Sequence, residues 1–249
     1  MGAGASLRLE GLRVFREAAS ARRVVVDGVT LRAAPGERLF LLGPNGAGKT
    51  SILLALVGAV PFEGRIAIGE LEVSPRTIQD VRRAVGFVFA DPSDQFFMSE
   101  VSAEVAYGPR TRGLDPVTVT ARVEGALAAV RLSGFAGRSP DELSLGEQRR
   151  LAIATALAIE PDVFLLDEPT ASLDPRARHA VLEAVARVPA TVVVATHDLD
   201  AAYALDGRAV LIRDGRVVGD GRAREILKDA ALLDAAGLVP PIAAQAVER

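Results

Sequence analysis

The eight residues GPNGAGKT, Gly43 to Thr50, are the stretch of this chain whose types and spacing point most directly to chemistry. They fit the pattern G-x-x-x-x-G-K-[ST] between a run that predicts a strand and a run that predicts a helix. Glycines let backbone N–H groups curl around phosphate oxygens, and the helix N-terminus adds a favourable dipole. Lys49 is suited to neutralise β and γ phosphates, and the Thr50 hydroxyl to bind Mg²⁺. The stretch therefore predicts a nucleotide-binding loop.

The alternative for this stretch is a glycine-rich turn that fits the pattern by chance. Arginine supplies nearly all the positive charge of the chain, and Lys49 and Lys228 are its only lysines. A lysine thus stands where a compact ammonium group is wanted, which favours the functional interpretation. The residues of this stretch predicted to contact nucleotide are Gly43, Pro44, Asn45, Gly46, Ala47, Gly48, Lys49, Thr50 and Ser51.

Two adjacent carboxylates follow the apolar run Val163–Leu166. Asp167 ends the predicted strand, where P-loop enzymes place a carboxylate associated with Mg²⁺. Glu168 comes next, where a carboxylate is suited to polarise a water for attack on a γ-phosphate. The alternative is a solvated strand end, and on the pair alone the two interpretations are equally good. A phosphate loop in the same chain favours the functional one.

Polar residues also follow two other predicted elements. Asp174-Pro175 is typical of a helix N-cap and a first helical position. His197 follows an apolar strand, so we expect it at the same sheet edge as Asp167, and the alternative is a solvated surface histidine.

Apolar runs and turn residues divide the chain into alternating strands and helices. Strands are predicted at Leu7–Leu12, Val24–Leu31, Leu39–Leu42, Arg65–Val73, Val85–Phe89, Val163–Leu166 and Thr191–Ala195, and helices at Thr50–Val57, Glu147–Ile159 and Arg176–Val188. Asp27-Gly28 has turn chemistry, and Asp214-Gly215 predicts a hairpin over Val210–Gly219. Residues from about 99 to 143 have helical spacing with Gly and Pro breaks, which indicates an inserted helical lobe. The alternation predicts an α/β fold with a covered parallel sheet.

The composition is that of a globular protein, with 49% hydrophobic and 24% charged residues,. Its 249 residues suffice for one large domain, or a domain with a lobe,. A net charge of −3 gives no argument for a nucleic-acid partner,. The absence of cysteine excludes disulfides and thiolate metal sites,.

No apolar run approaches the ~18 residues that span a bilayer, so any membrane role is expected through a partner. The opening MGAGAS fits the pattern for N-myristoylation at Gly2, although small residues fill it easily and no basic patch supports it.

The stretch LSLGEQRRLAIATALAIEPD, Leu143 to Asp162, has Ser144 and Glu147 in the spacing of a capping box, a sufficient local reason for both,. Yet Leu-Ser-x-Gly-[Glu/Gln] ahead of the carboxylate strand resembles the signature of ATP-binding-cassette (ABC) ATPases. The resemblance runs in order through phosphate loop, helical lobe, signature, carboxylate strand and His197. It covers Leu7 to about Leu227.

The resemblance implies a P-loop NTPase (RecA-like) core with a parallel sheet, an N-terminal antiparallel β subdomain and an inserted α-helical subdomain. It implies an ABC ATPase domain over residues 1–228, with the core at 1–90 and 148–228. The helical subdomain is expected at about 91–147, and residues 229–249 form a C-terminal tail.

The resemblance also implies ATP and Mg²⁺ as ligands. Glu168 resembles the general base and His197 the γ-phosphate sensor, with Lys49 completing the catalytic set. Thr50 and Asp167 resemble the Mg²⁺ ligands.

A head-to-tail dimer is implied as well, in which the signature of one subunit closes on the nucleotide held by the other. Ser144, Gly146 and Glu147 are then expected at the opposite γ-phosphate, which suits a helix N-terminus. Asp174 is expected at the dimer seam. The local pattern around Phe15 loosely resembles the family's adenine-stacking aromatic.

The stretch FVFADPSDQFF, Phe87 to Phe97, points to a subgroup of the family. With EVAYGPRTRGL after it, the Leu145 signature variant and the AAGLVPP tail, it resembles ATPases of energy-coupling-factor importers, particularly the cobalt and nickel type. The family usually has glutamine directly after this strand, where this chain has Ala90, and asparagine where it has Asp91. Gln95 resembles the subgroup's second glutamine and is predicted in the nucleotide site. We expect one coupling ligand to be missing, with Asp91 or a water taking up its contact or hydrolysis being slow.

The first hypothesis for function is therefore the ATPase subunit of an importer, peripheral at the cytoplasmic face of the cell membrane. It would dimerise with a second ATPase subunit, in a homodimer or heterodimer, and drive a separate membrane subunit. The expected cargo is a small substrate, a metal ion such as cobalt or nickel, or a vitamin. Alternatives are a non-transport ABC ATPase of repair or translation, an exporter ATPase, and a P-loop phosphotransferase. A single cassette, no long coiled-coil insertion and a slightly acidic balance argue against the non-transport ATPase.

Overall fold

The structure, a computed structural model, describes residues 4–18 and 21–245, so the myristoylation pattern at Gly2 lies outside the described residues. Its strands are β1 (Leu7–Ala18), β2 (Ala21–Ala33), β3 (Arg38–Leu42), β4 (Phe62–Ile68), β5 (Leu71–Glu72), β6 (Val85–Val88), β7 (Val163–Asp167), β8 (Thr191–Thr196), β9 (Arg208–Arg213) and β10 (Arg216–Arg222). Its helices are α1 (Lys49–Leu56), α2 (Ile78–Ala84), α3 (Val101–Thr111), α4 (Pro116–Ala129), α5 (Leu145–Ala158), α6 (Pro175–Ala186), α7 (Leu199–Leu205), α8 (Ala223–Ile226), α9 (Ala230–Ala236) and α10 (Ile242–Gln245).

A six-stranded sheet has the strand order β10-β9-β3-β8-β7-β6. Its neighbours are parallel except for the antiparallel pair β9 and β10. The carboxyl ends of β3, β7 and β8 therefore meet at one edge, and these are the strands that the phosphate loop, the paired carboxylates and His197 follow. The predicted α/β fold with a parallel sheet is confirmed.

Each face of this sheet is covered by a different layer. Side chains alternate along a strand, so Phe40 and Phe164 share a hydrophobic cluster with the helices α3, α4, α5 and α6,. Leu39 and Leu165 point to the opposite face and share a cluster with α1 and the smaller sheet. Because both faces are buried, the strands read as continuous apolar runs.

The smaller sheet is antiparallel, in the order β2-β1-β4-β5. The turn chemistry at Asp27-Gly28 does not end the predicted strand, because β2 continues through both residues. Gly28 has a φ of 72°, and the register with β1 shifts there, so the pair forms a β-bulge,. The bulge places the Asp27 carboxylate 2.6 Å from an Arg216 guanidinium nitrogen of β10, which ties the two sheets together.

Local signals for helix and turn boundaries are confirmed. Ser144 and Glu147 form a capping box at the start of α5, and Asp174 caps α6, which begins at Pro175. Asp214 and Gly215 have φ values of 50° and 75°, as a type I′ hairpin turn between β9 and β10 requires,.

Several elements were not predicted, namely α2, α7 and the helices of the tail. The tail folds back on the core, since Leu233 and Ala236 of α9 are fully buried in the cluster that contains Phe40. Over the described part of the chain, no helix is both long and apolar enough to cross a bilayer.

Candidate nucleotide-binding site

The phosphate loop joins β3 to α1 beside the smaller sheet. Gly46 and Gly48 have φ values of 82° and 103°, which glycine adopts readily,. A Cβ on Gly48 would lie 2.7 Å from the Val25 carbonyl oxygen, so this position requires glycine. No side chain caps α1, so its first N–H groups remain available to an anion,. The loop borders a cavity of about 250 Å³ lined by Arg16, Val25, Glu168 and residues 45–51.

Lys49 is the ammonium group of this cavity, and its side chain is 6% exposed. Its Nζ donates to the carbonyl oxygens of Gly43 at 2.8 Å and Pro44 at 3.2 Å, and lies 3.5 Å from Glu168 Oε1. A buried cation held by two carbonyls and one carboxylate is partly compensated, and it is well placed to exchange these partners for phosphate oxygens.

Thr50 and Asp167 lie side by side across the sheet edge. The Thr50 hydroxyl donates to both Asp167 carboxylate oxygens, at 3.1 and 2.9 Å. Burial raises the pKa of Asp167, and the hydrogen bond from Thr50, which lowers this pKa, offsets only part of the rise. Among the described residues, no group of three or more His, Asp or Glu side chains could hold a metal ion. One hydroxyl and one carboxylate suit a Mg²⁺ ion that draws its other ligands from phosphates and water.

Glu168 is the meeting point of the cluster. Its Oε2 accepts a hydrogen bond from Thr196 Oγ1 at 2.9 Å and lies 2.9 Å from His197 Nδ1, while Oε1 faces Lys49. The backbone of Glu168 has a φ of 45°, unusual for a residue with a side chain, and its N–H donates to the Ala195 carbonyl at 2.8 Å,. The structure thus brings together the predicted Lys49, Thr50, Asp167, Glu168 and His197.

The signature residues form a separate unit at the start of α5. Glu147 Oε2 accepts hydrogen bonds from the Ser144 N–H at 2.8 Å and the Ser144 hydroxyl at 2.7 Å, and the hydroxyl bond lowers the pKa of Glu147. A Cβ on Gly146 would lie 2.6 Å from the Ala177 Cβ, so glycine lets α5 approach α6. Ser144, Gly146 and Glu147 do not line the phosphate-loop cavity of their own chain.

Four other residues predicted to bind nucleotide also lie outside the cavity lining, namely Gly43, Pro44, Phe15 and Gln95. The Phe15 ring is covered by the guanidinium of Arg22, at 3.7 Å from the ring centroid. Gln95 donates to Thr155 Oγ1 on α5 at 2.8 Å, which ties the loop after β6 to the signature helix.

The two residues that replace the family's usual glutamine and asparagine lie at the surface. Ala90 is exposed just after β6. Asp91 accepts hydrogen bonds from the Ser93 N–H at 2.9 Å and the Ser93 hydroxyl at 2.7 Å, which lower its pKa. Asp91 is therefore engaged locally as a cap.

A carboxylate clamp supports the loops beside His197. Asp198 accepts hydrogen bonds from Thr170 Oγ1 and from two Arg178 guanidinium nitrogens, all at 2.8 Å. Burial alone would raise the pKa of Asp198, but the bonds from Arg178, the Ala201 N–H and Thr170 lower it overall. The clamp joins the loop after β7 to the start of α7.

Sequence reasoning missed two arginines near the site. Arg16 lines the cavity from β1, and its place follows from the fold rather than from any local pattern. Arg149 is 6% exposed and donates to the Glu168 carbonyl at 2.9 Å. Its sequence gives little sign of this role, because Arg149 stands in the polar stretch Glu147–Arg150, ahead of the mostly apolar run that begins at Leu151.

The tail approaches this region from a second side. A cavity of about 570 Å³ separates residues 237–242 from Asn45, His197 and residues 170–172. Val239 and Ile242 present large apolar side chains there, 79% and 76% exposed.

A phosphate loop, a Thr–Asp pair and a carboxylate–histidine pair at the edge of a parallel sheet define a P-loop nucleoside triphosphatase. A sequence profile described as "ABC transporter" matches residues 26–171. The chain therefore belongs to the ABC transporter family of ATPases, whose members couple ATP hydrolysis to transport. Both the family and the fold were predicted from the sequence, and both are confirmed.

Three similar proteins give the comparison more detail. The chain is 43% identical over 223 residues to the cobalt import ATP-binding protein CbiO of Rhodobacter capsulatus, covering 87% of this chain and 80% of that protein. It is similar to the structure of CbiO1 from Clostridium perfringens, part of the ABC transporter complex cbiONQ, with a TM-score of 0.82, 27% identity and coverage of 99% and 100%. It is also similar to the ATP-binding cassette MJ0796 in a dimeric post-hydrolysis state bound to ADP and Pi, with a TM-score of 0.78, 25% identity and coverage of 87% and 98%.

Proposed function

We propose that this chain is the ATP-hydrolysing subunit of an importer of a small substrate, a metal ion such as cobalt or nickel or a vitamin. Its similarity to CbiO of R. capsulatus and to CbiO1 of the cbiONQ complex supports this cargo class. A separate membrane subunit would form the path, with this chain bound peripherally at the cytoplasmic face of the cell membrane. The observation that carries the catalytic part is the position of Glu168 beside the phosphate-loop cavity, with one carboxylate oxygen facing Lys49 and the other His197.

Nucleotide phosphates would be held by the backbone N–H groups of the loop and by Lys49. When Lys49 turns to the phosphates, it leaves Glu168 Oε1 free, and that oxygen can then accept a proton from water. Thr50 and Asp167 would hold Mg²⁺, which supplies positive charge against the phosphate oxygens.

The imidazole of His197 would sense the γ-phosphate. Its Nδ1 is held by Glu168 Oε2 at 2.9 Å, and the ring is half exposed, so Nε2 remains for a ligand,. One carboxylate therefore orients the sensor with one oxygen and serves as base with the other.

The signature residues complete the site across a dimer. Ser144 and Gly146 stand at a helix N-terminus away from their own phosphate loop, so a second subunit would bring them to the γ-phosphate,. Asp174, in the loop before α6, would lie at the seam. Both half-sites occur in this chain, so a homodimer is chemically complete, and the dimeric MJ0796 structure supports such pairing.

The domain bounds and the roles of Phe15 and Gln95 complete the proposal. The ATPase domain would span residues 1–228, with the helical subdomain at about 91–147 and a tail from 229. Phe15 would stack on adenine once Arg22 moves from its ring. Gln95 would act from the loop after β6, where its bond to Thr155 supports a link between the site and the helical subdomain.

The test is co-expression with the membrane proteins encoded beside its gene, followed by reconstitution in vesicles. We expect a complex whose ATPase activity rises with uptake of a divalent metal ion or a vitamin into the vesicles. Stable association with ribosomes or DNA ends and no membrane partner would exclude the importer. Efflux of the cargo would show an exporter instead.

A further inference from the structure

Arg149 is a buried cation with no role in the scheme above. It lies on α5 with 6% of its surface exposed, and burial lowers its pKa. Within the described residues no carboxylate comes within ion-pair distance of its guanidinium, although the charges of Asp91 and Glu168 act on it. Its Nε is buried without a hydrogen-bond partner in the same residues. A buried charge with so few partners is expensive to keep, and its position therefore calls for a reason.

The hydrogen bond that Arg149 makes is directed at Glu168, a residue of the site whose backbone has a positive φ. One guanidinium nitrogen donates to the carbonyl oxygen of Glu168 at 2.9 Å. On the other side of the same residue, the Glu168 N–H donates to the Ala195 carbonyl at 2.8 Å. The two bonds clamp the residue whose φ is 45°, a conformation that persists only where the surroundings determine it,.

The conformation of this backbone decides where the carboxylate lies. Both Glu168 oxygens have partners, Lys49 on one and Thr196 with His197 on the other. A change at φ or ψ of Glu168 would swing the carboxylate away from both sides. Arg149 also links this turn to α5, the helix that begins with the signature.

We propose that Arg149 is a positioning residue for ATP hydrolysis: its bond to the Glu168 carbonyl holds the turn after β7 so that the carboxylate faces the cavity, and couples that turn to the signature helix. The inference rests on the proposed function, because Glu168 is taken as the base. Arg149 itself touches neither nucleotide nor water in this scheme.

Arg150 provides a matched control on the same helix. Its guanidinium also donates to two backbone carbonyls, of Val130 at 2.9 Å and Arg131 at 3.2 Å, and its Nε is likewise buried without a partner. It differs from Arg149 in holding a loop of the helical lobe rather than the Glu168 turn. Arg150 is half-buried where Arg149 is buried, and loss of either guanidinium should disturb the packing of α5 to a comparable extent.

The experiment compares Arg149→Gln, Arg149→Lys and Arg150→Gln in single-turnover and steady-state ATP hydrolysis, with binding of a fluorescent ATP analogue and thermal unfolding measured alongside. Misplacement of a catalytic group by about 1 Å costs on the order of 100-fold, so we expect kcat to fall ~30- to 100-fold in Arg149→Gln. KM and analogue affinity should stay close to those of the unmodified protein. Arg149→Lys, which keeps a charged donor, should recover most of the rate, and Arg150→Gln should keep it.

Three results would overturn the proposal: an unchanged kcat in Arg149→Gln, an equal loss in Arg150→Gln, or a loss that follows analogue binding or thermal stability. Arg149→Gln is also combined with Glu168→Gln. If Arg149 acts through Glu168, it should lower the residual single-turnover rate of the Glu168→Gln protein no further, whereas an additive loss contradicts that route. Full activity of the Glu168→Gln variant alone would instead show that Glu168 is not the base. That result would contradict the proposed function itself, and the single variant therefore distinguishes it from a failure of the Arg149 proposal.

Discussion

The N-termini of helices α1 and α5 differ in whether side chains of the chain itself cap them. At α1 no side chain caps the helix, and Gly46 and Gly48 open the loop so that the first N–H groups face a cavity. At α5 the Ser144 hydroxyl and the Glu147 carboxylate satisfy each other and the helix start. Both termini carry a partial positive charge. Of the two, only α1 leaves its first N–H groups available to a ligand in the cavity of the same chain.

The difference shows what each end requires. The α1 end is surrounded by Lys49, Thr50 and Glu168 of the same chain, so under the proposed function it would bind phosphate within a single subunit. The α5 end is satisfied by its own cap, and in the proposed dimer it would meet a nucleotide held by the second subunit. We infer that nucleotide binding and dimer closure are separable events, which variants at the two ends should affect differently.

The largest effect is expected from Glu168→Gln. Loss of the general base should lower kcat by about 10²–10⁴-fold, while ATP binding persists and an ATP-dependent dimer accumulates. Steady-state hydrolysis and size-exclusion chromatography with ATP measure both. Glu160→Gln, at a carboxylate paired with Arg122, is the control. Undiminished turnover would remove Glu168 as the base.

Lys49→Ala should act on binding itself at the α1 end. Loss of a charge-assisted bond to phosphate should weaken ATP affinity by about 10- to 100-fold, as titration calorimetry would show. Lys228→Ala removes the other lysine of the chain, which is exposed, and should leave affinity unchanged. Normal affinity in Lys49→Ala would contradict the phosphate-loop assignment.

Asp198 should make the loops beside His197 sensitive to acid. Its folded pKa is lowered, so its contribution to stability is complete above the unfolded value of about 4 and is lost as pH falls through the folded pKa,. Asp198→Asn should cost about 1.5 kcal/mol near pH 7, by loss of charged hydrogen bonds, and less at low pH. Urea unfolding at several pH values tests this, and a cost that does not vary with pH would rule it out.

Ser144→Ala should have a smaller effect on stability, and it bears on the α5 end alone. Loss of the helix cap should cost about 1 kcal/mol in urea unfolding. ATP affinity of the monomer should be unchanged, while the ATP-dependent dimer in the Glu168→Gln background should weaken. Weakened monomer binding would show that the two ends are not separable.

Ala90→Gln should have the smallest effect and its sign is informative. Because Ala90 is exposed, a glutamine fits there without repacking, and it would restore the amide that the family usually has. We expect hydrolysis to rise and its dependence on Mg²⁺ to change. If the hydrolysis rate and its Mg²⁺ dependence both stay the same, the absence of the amide has no effect on the mechanism.

The sequence predicted those features whose cause is local or periodic. Apolar runs predicted the parallel strands, and Ser144 with Glu147 predicted the start of α5, because side-chain capping needs only neighbouring residues. The bulge at Asp27-Gly28 was not predicted, since the same residue pair serves turns and bulges, and pairing with β1 decides which one forms. Arg16 and Arg149 were missed because their places beside the cavity and the Glu168 turn depend on how strands and helices pack. The tail was missed because its burial depends on a surface that forms only in the folded state.

The burial of Lys49 in a chain with so few lysines has a practical consequence. An amine-reactive reagent has two side-chain targets, an exposed one at Lys228 and one at 6% exposure inside the phosphate cavity. If nucleotide binds as proposed, the ratio of modification at these two positions would be an internal measure of site occupancy, readable by mass spectrometry in a crude membrane preparation without purified protein or a radioactive nucleotide.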